Sequence, residues 1–287
     1  GTAPAVTAAL HEAVDRGDLG YLPRGVSSEL SRATAGWLAE ETGWDPTPER
    51  VHPIADVIQG LEYAIRHYTR PGSGGRVFER AELEALAAVV ERHGARVFAD
   101  EIHAPIVFGA RRHVPYASVN QVTAHHTVTA ISASKAWNLP GVKCAQFITS
   151  SDADEAIWES LGPLGSHGAS TLGVIANTAA YDHGRAWLAD VVDYIDGNLA
   201  LLGELLADRL PEVGYRRPEG TYIAWLDVSG LGLGEHPATT IRERAAVSLT
   251  EGTASGQAGA GHVRMILATP RPLVERLVAG IARAAGR

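Results

Sequence analysis

A chain of 287 residues with 45% apolar content can bury one large core or two moderate ones. Its formal net charge is −8 and no stretch clusters Lys and Arg, which argues against nucleic acid and for a small-molecule ligand. No run nears the roughly 18–20 consecutive apolar residues that span a bilayer, and Gly1-Thr2-Ala3-Pro4 opens no secretory signal, so the expectation is a soluble, cytoplasmic protein with no membrane partner.

From Ala5 to Gly17, Val6, Leu10 and Val14 recur every fourth residue and glycine follows, which predicts an amphipathic helix. Residues 27–43 repeat the pattern through Leu30, Ala33, Leu38 and Ala39, with Ser27 or Ser28 as the cap and Asp45-Pro46-Thr47-Pro48 as the break. A third helix is expected from Val57 to Thr69, stopped by Pro71-Gly72, and a fourth from Glu79 to His93 with Leu83, Leu86, Val89 and Val90 inward. Arg96 to Ala99 then reads as a short buried strand, and helix followed by strand is the α/β rhythm. Apolar strands at 127–131 and 145–149 bracket a polar turn, and Asp152 to Leu161 is helical.

Thr171 to Leu210 reads as one long helix through Trp187, Val191, Ile195, Leu199, Leu202 and Leu206. Beyond Pro211 the texture changes: strands at 221–228 and 262–268 and helices at 241–249 and 272–285 predict a small α+β unit. Gly252 to Gly261, rich in Gly, Ala and Ser, reads as a mobile loop. The single cysteine, Cys144, excludes an intrachain disulfide and reads as a small buried apolar group. Of the 12 histidines the densest group is His125-His126 with His103 and His113, but none has the helical spacing H-x-x-x-H, so no metal is expected.

Two segments carry chemistry. The turn Ser132-Ala133-Ser134-Lys135, with Lys143 eight positions on, offers two hydroxyls, backbone N–H groups and a cation to an anion such as phosphate, leaving Lys135 for covalent work. Taken alone, Lys135 is more simply read as a solvated surface lysine in a turn. Asp100 ends a strand, where open α/β sheets gather ligand-binding groups, and His103 follows three residues later. A helix cap or a surface turn would use Asp100 in the same place.

Together, Ala99-Asp100-Glu101-Ile102-His103 and Ser132-Ala133-Ser134-Lys135-Ala136-Trp137-Asn138-Leu139-Pro140-Gly141 resemble the fold-type-I enzymes that use pyridoxal 5′-phosphate (PLP). Within them the chain is similar to the MalY/PatB branch, the cystathionine β-lyase-like C–S lyases related to class I/II aminotransferases, which typically have tyrosine at the His103 position. Further matches are Gly20-Tyr21, Pro218-Glu219-Gly220-Thr221-Tyr222, Gly261-His262-Val263-Arg264 and Ala268-Thr269-Pro270-Arg271. The resemblance implies an aspartate-aminotransferase-like fold: a three-layer α/β/α large domain with a mainly parallel sheet, and a smaller α+β C-terminal domain. Its expected boundaries are 1–20 for the N-terminal part of the small domain, 21–195 for the PLP-binding domain and 196–287 for the rest.

The resemblance also implies roles. Lys135 would hold the cofactor covalently and act as the base on the substrate α-proton; Asp100 would keep the pyridine nitrogen protonated; His103 would bond the ring 3′-oxygen. Ser132, Ser134 and Lys143 would hold the phosphate, with N–H groups of Val57 and Ile58 at a helix start. Tyr21 would reach the phosphate of a neighbouring subunit, which implies a homodimer with shared active sites. Arg264 would bind the substrate α-carboxylate, although a surface strand arginine in a salt bridge would look the same. The implied activity is C–S β-lysis of cystathionine or a related L-cysteine S-conjugate. The alternatives are an aminotransferase and, from another class, a non-catalytic regulatory protein.

The chain departs from the family between Pro71-Gly72-Ser73 and Gly74-Gly75-Arg76. There the family carries several tens of residues, including the aromatic that stacks on the pyridine ring and an Asn-Pro motif, and it also carries an apolar stretch before the position of Gly1. Either the protein is reduced there or its natural chain is longer at both places; losing a central layer would expose sheet edges and a core face, which favours the longer chain.

Overall fold

A computed structural model describes residues 1–20, 22–57, 76–162 and 165–287. The chain divides into two compact units, one formed by the N-terminal residues with Val77–Ala189, the other by Asp190–Arg287.

The first unit opens with helix α1 (Pro4–Arg16), closed by Gly17 in the left-handed conformation. Helix α2 (Arg24–Thr42) starts before the expected Ser27 or Ser28 cap, because Pro23 in extended conformation sets the entry and Ser27 N–H already bonds Pro23 O inside the first turn. Its Leu30, Ala33, Trp37 and Leu38 are buried, and Ser31 Oγ donates to Val51 O at 2.7 Å, tying the helix to strand β1 (Val51–Ile54). The helix expected from Val57 to Thr69 lies, beyond Val57, outside the described residues.

Helix α3 (Arg80–Arg92) begins in a capping box in which Glu79 and Glu82 exchange side-chain and backbone bonds. Leu83, Ala87 and Val90 form its buried stripe, but Leu86 and Val89, expected inward, are 46% and 47% exposed. They sit on the neighbouring face, one position off the i, i+4, i+7 row that meets Ala99, Tyr116 and Val119.

Strand β2 (Val97–Asp100), the short helix α4 (Gln121–His125), strand β3 (Thr127–Ile131), strand β4 (Ala145–Thr149) and helix α5 (Asp152–Ser160) follow. The sheet order is β1-β4-β3-β2. Only β2 and β3 pair in parallel; the other two ladders are antiparallel, so among the described residues the sheet is mixed. Alternation along the register sends Val97 and Ala99 to the α3 face, and Phe98, Val128, Ala130 and Phe147 to the opposite face, where Trp158 of α5 packs. Helices thus cover both faces, the expected three layers. Strand β2 is half-buried rather than buried, being the edge of the described sheet.

The long helix expected from Thr171 to Leu210 is two: α6 (Thr171–His183) and α7 (Arg185–Arg209). The break is at Gly184, where a Cβ would lie 2.3 Å from Trp137 Nε1 and 2.4 Å from Ala180 O. Trp137, fully buried against Trp37 and Tyr181, donates its indole N–H to Gly184 O at 3.0 Å. Helix α1, expected with the small domain, packs on α6 in the first unit.

The second unit takes up α7 and an antiparallel sheet, β5 (Gly214–Tyr215), β6 (Ile223–Asp227), β7 (Thr250–Glu251) and β8 (His262–Ile266), ordered β5-β6-β8-β7. Ala224, Leu226, Val263 and Met265 point into a core closed by helices α8 (Pro237–Ala245) and α9 (Arg271–Ala284) through Ile241, Val274, Val278 and Ile281. The segment expected as a loop at 252–261 contains two short 3₁₀ turns, Gly252–Ser255 and Gln257–Gly259. Glycine permits this: a Cβ on Gly252 would stand 2.2 Å from Gly259 O.

Candidate active site

Parallel pairing of β2 with β3, Asp100 opposite Ala130, brings two carboxyl ends to one edge of the sheet. One end delivers Asp100 and the other the turn 132–135, so two motifs some thirty residues apart in the sequence become neighbours. Asp100 Oδ1 accepts the Ile102 N–H at 3.2 Å. Crowding at the strand end raises the Asp100 carboxyl above its ordinary value, although the side chain keeps a solvent-exposed edge. The Ile102 N–H and the Lys135 cation oppose that rise, and the Glu101 charge adds to it. The Lys135 ammonium and the Asp100 carboxylate therefore share one electrostatic environment. His103 sits in the turn after Asp100, half-buried, its carbonyl accepting the Ile106 N–H at 2.9 Å.

The lysine turn is held from beneath. Ala133 N–H donates to Asn177 Oδ1 of α6 at 3.0 Å, and Ser170 N–H reaches back to Lys143 O at 3.0 Å. Gly173 lets α6 approach so closely, since a Cβ there would fall 2.2 Å from Val142 O. Ser132, 2% exposed, donates to Cys144 O at 2.7 Å and accepts the Ser134 N–H at 3.0 Å, and its oxygen lies 2.7 Å from Ser134 Oγ. That hydroxyl organises the turn, and the half-buried Ser134 stands nearer solvent. Cys144 is buried as expected, and burial pushes its thiol up to about 12, so it stays neutral.

Lys143 is a non-glycine residue at φ 49°, a conformation that directs its side chain to Asp56, 3.2 Å from Nζ. Asp56 precedes Val57, so the cation stands beside a helical first residue. The pair is exposed and worth only about 0.2–1 kcal/mol, weak enough for a phosphate to take over the lysine. Tyr21 and Ile58 lie outside the described residues. Arg264 is in the second unit, on β8 opposite Trp225 and Thr250, half-buried, and its charge bears on the Tyr222 hydroxyl.

Sequence reasoning did not find Asn177, Gly173 or Glu101. The first two carry no motif; Glu101 stands inside the quoted Asp100-to-His103 run and has its own circle of partners. Of the histidines weighed as metal ligands, His113 bonds Glu101 at 2.8 Å and His126 bonds the Tyr116 hydroxyl at 3.0 Å.

PLP presents a pyridine nitrogen, an aldehyde and a phosphate. Asp100 offers a carboxylate, Lys135 a primary amine, and Lys143 and Ser134 a cation and a hydroxyl, the kinds of group that could hold these handles.

The profile of the family described as aminotransferase class I and II matches residues 73–281. The chain belongs to this family. Cystathionine β-lyase of Corynebacterium glutamicum is 30% identical over 89% of this chain and 83% of its own length. Protein MalY of Escherichia coli is 33% identical over 73% of this chain and 54% of its own. A crystal structure of a candidate PLP-dependent β-cystathionase from Corynebacterium diphtheriae is 32% identical, covers 100% of this chain and 90% of that one, and superposes with a TM-score of 0.93. The alignment with the C. glutamicum enzyme runs over 313 positions although it uses only 89% of this chain, so that family member carries residues with no counterpart here.

Proposed function

We propose that this protein is a PLP-dependent C–S β-lyase, cleaving cystathionine or a related L-cysteine S-conjugate to a thiol, pyruvate and ammonia. The observation that carries the reading is that the parallel strands β2 and β3 bring Asp100 and the turn carrying Lys135 to one side of the sheet, where the Lys135 charge acts on Asp100, in a chain whose relatives include a cystathionine β-lyase. PLP, when bound, supplies an electron sink for the negative charge left on the substrate Cα.

The protein's own groups do the rest. Asp100, as a carboxylate, holds a proton on the pyridine nitrogen. Lys135 Nζ takes the proton from the substrate Cα, a step that general bases accelerate by about 10²–10⁴. Loss of the β-thiolate follows; water then converts the three-carbon remainder to pyruvate and ammonia, so that one water is consumed for each C–S bond broken. Ser134 and Lys143 hold the phosphate, with Ser132 shaping their turn and Val57 and Ile58 offering N–H groups. His103 bonds the ring 3′-oxygen, and Arg264 grips the substrate carboxylate with its planar fork. Two copies share their sites as a homodimer, Tyr21 of each serving the phosphate of the other, and the enzyme works in the cytoplasm on an amino acid. No helix among the described residues is long and apolar enough to cross a membrane.

Incubating the PLP-loaded protein with L-cystathionine tests the reading: pyruvate and free thiol should appear in equal amounts with no keto acid added. A second reading, aminotransferase, draws on the family profile itself. Product that forms only with a keto-acid acceptor and without thiol would replace the lyase with it.

A further inference from the structure

Directly after Asp100 the chain places a second carboxylate, Glu101, on the opposite side of the strand end. Glu101 is 8% exposed and every polar group it owns is engaged. Its N–H donates to Ala130 O at 2.9 Å, which carries the parallel ladder one residue past Asp100. Its Oε1 accepts the Tyr116 N–H at 2.9 Å, and its Oε2 meets His113 Nε2 at 2.8 Å.

A buried ion pair is poor insurance for stability, since desolvation offsets most of the attraction. Stability alone therefore does not account for a carboxylate sealed behind Asp100. Charge does: an uncompensated Glu101 beside Asp100 would favour protonation of Asp100, and His113 supplies the compensation. Burial works against the charged form of His113, but the Glu101 carboxylate outweighs it and raises the imidazolium above its ordinary value.

We propose that Glu101 and His113 form a positioning pair that fixes Asp100 at the end of β2 as a carboxylate, and thereby sets the affinity of the protein for PLP. The inference rests on the reading of Asp100 given above. His113 and Glu101 face a cavity of about 260 Å³ behind the lysine turn, where Ser132 forms part of the wall. The other charged groups on that cavity are Arg111 and Arg112 of the same loop and Glu41 of α2. Lys135 acts on Asp100 from its own side. Tyr116, whose hydroxyl bonds His126, is neutral in this range because burial pushes it up to about 12.

The experiment is a PLP titration of cofactor-free protein, followed by tryptophan fluorescence, for wild type, His113→Gln, His113→Lys and Asp100→Asn between pH 6 and 9. The His113→Gln protein should bind PLP about tenfold more weakly at pH 7, the low end of what partners behind a ligand carboxylate contribute. His113→Lys should recover most of that loss by restoring the charge. Wild-type affinity should fall as His113 loses its proton, and the fall should vanish in His113→Gln. Equal affinity of His113→Gln and wild type across the range, with Asp100→Asn weakened, overturns the pair and spares Asp100. Unchanged affinity in Asp100→Asn would instead overturn the role of Asp100 itself. Should His113→Gln not fold, the wild-type profile decides alone, and a flat profile sinks the proposal.

Discussion

Asn177 Oδ1 accepts the backbone N–H of Ala133 at 3.0 Å, a bond across 44 residues by which one side chain of α6 supports the turn that carries Lys135. The same oxygen faces Gln146 Nε2 at 3.4 Å, and Gln146 in turn accepts the Tyr181 hydroxyl at 2.8 Å. All of these groups are buried. Asn177→Leu strands the Ala133 N–H, and a buried donor left without an acceptor costs about 1–3 kcal/mol. Urea unfolding should show a loss of that size together with weaker PLP retention. A variant as stable as wild type would mean that the turn stands without this support.

Asp100 makes the cofactor-free protein sensitive to pH. Its folded value lies above the unfolded one because the surroundings disfavour the charge. The folded state therefore holds the proton more firmly, and the stability this brings is complete below the unfolded value and disappears as pH rises through the folded value. Asp100→Asn cannot titrate. In urea melts of cofactor-free protein, its stability relative to wild type should increase from pH 3.5 to pH 7; a constant difference would contradict the assignment.

Gly184 has no room for a side chain against Trp137 and the Ala180 carbonyl. Forcing one in should cost about 1–3 kcal/mol, as overpacking of a core does. Gly184→Ala should unfold at lower urea and change the emission of the buried tryptophans. Retained stability with unchanged fluorescence would show that α6 and α7 can join without the break.

Lys135→Ala should fold with a wild-type urea midpoint yet release pyruvate from cystathionine at least about 10²-fold more slowly, the low end for a lost general base. Arg264→Lys keeps the charge but loses the planar fork. Its kcat/KM should fall about tenfold or more, consistent with about 1.5–3 kcal/mol for a hydrogen bond to a charged group. If Arg264→Lys matched wild type, the α-carboxylate would need another partner.

The strands at 127–131 and 145–149 were readable because each is buried on both faces and carries no charged residue, with β-branched and aromatic side chains prominent in both. Likewise Asp100 and Lys135 could be singled out, the one ending a strand and the other in the turn after a strand, each in a short run of distinctive residue types. What local pattern could not reveal was anything decided by a distant neighbour. The Gly184 break looks like an ordinary helical glycine until Trp137 is packed against it. Leu86 and Val89 fit the helical period and are nevertheless exposed, since period alone does not say how wide a stripe its neighbours will cover. Asn177 and Ser132 show the same limit: an interior amide and a hydroxyl acquire meaning only from the backbone groups they meet.

The clamp on the lysine turn also carries a consequence for biosynthesis. Ala133 and Trp137 take their partners 44 and 47 residues downstream, while the Trp137 carbonyl is held by Thr2 from the other end of the chain. A nascent polypeptide that has emerged only as far as α5 already displays every reactive group of the turn but none of the floor beneath it. On the proposed reading, competence to capture the cofactor arrives late during translation, once α6 has left the ribosome, and truncated products ending before Thr171 should be unable to sequester PLP.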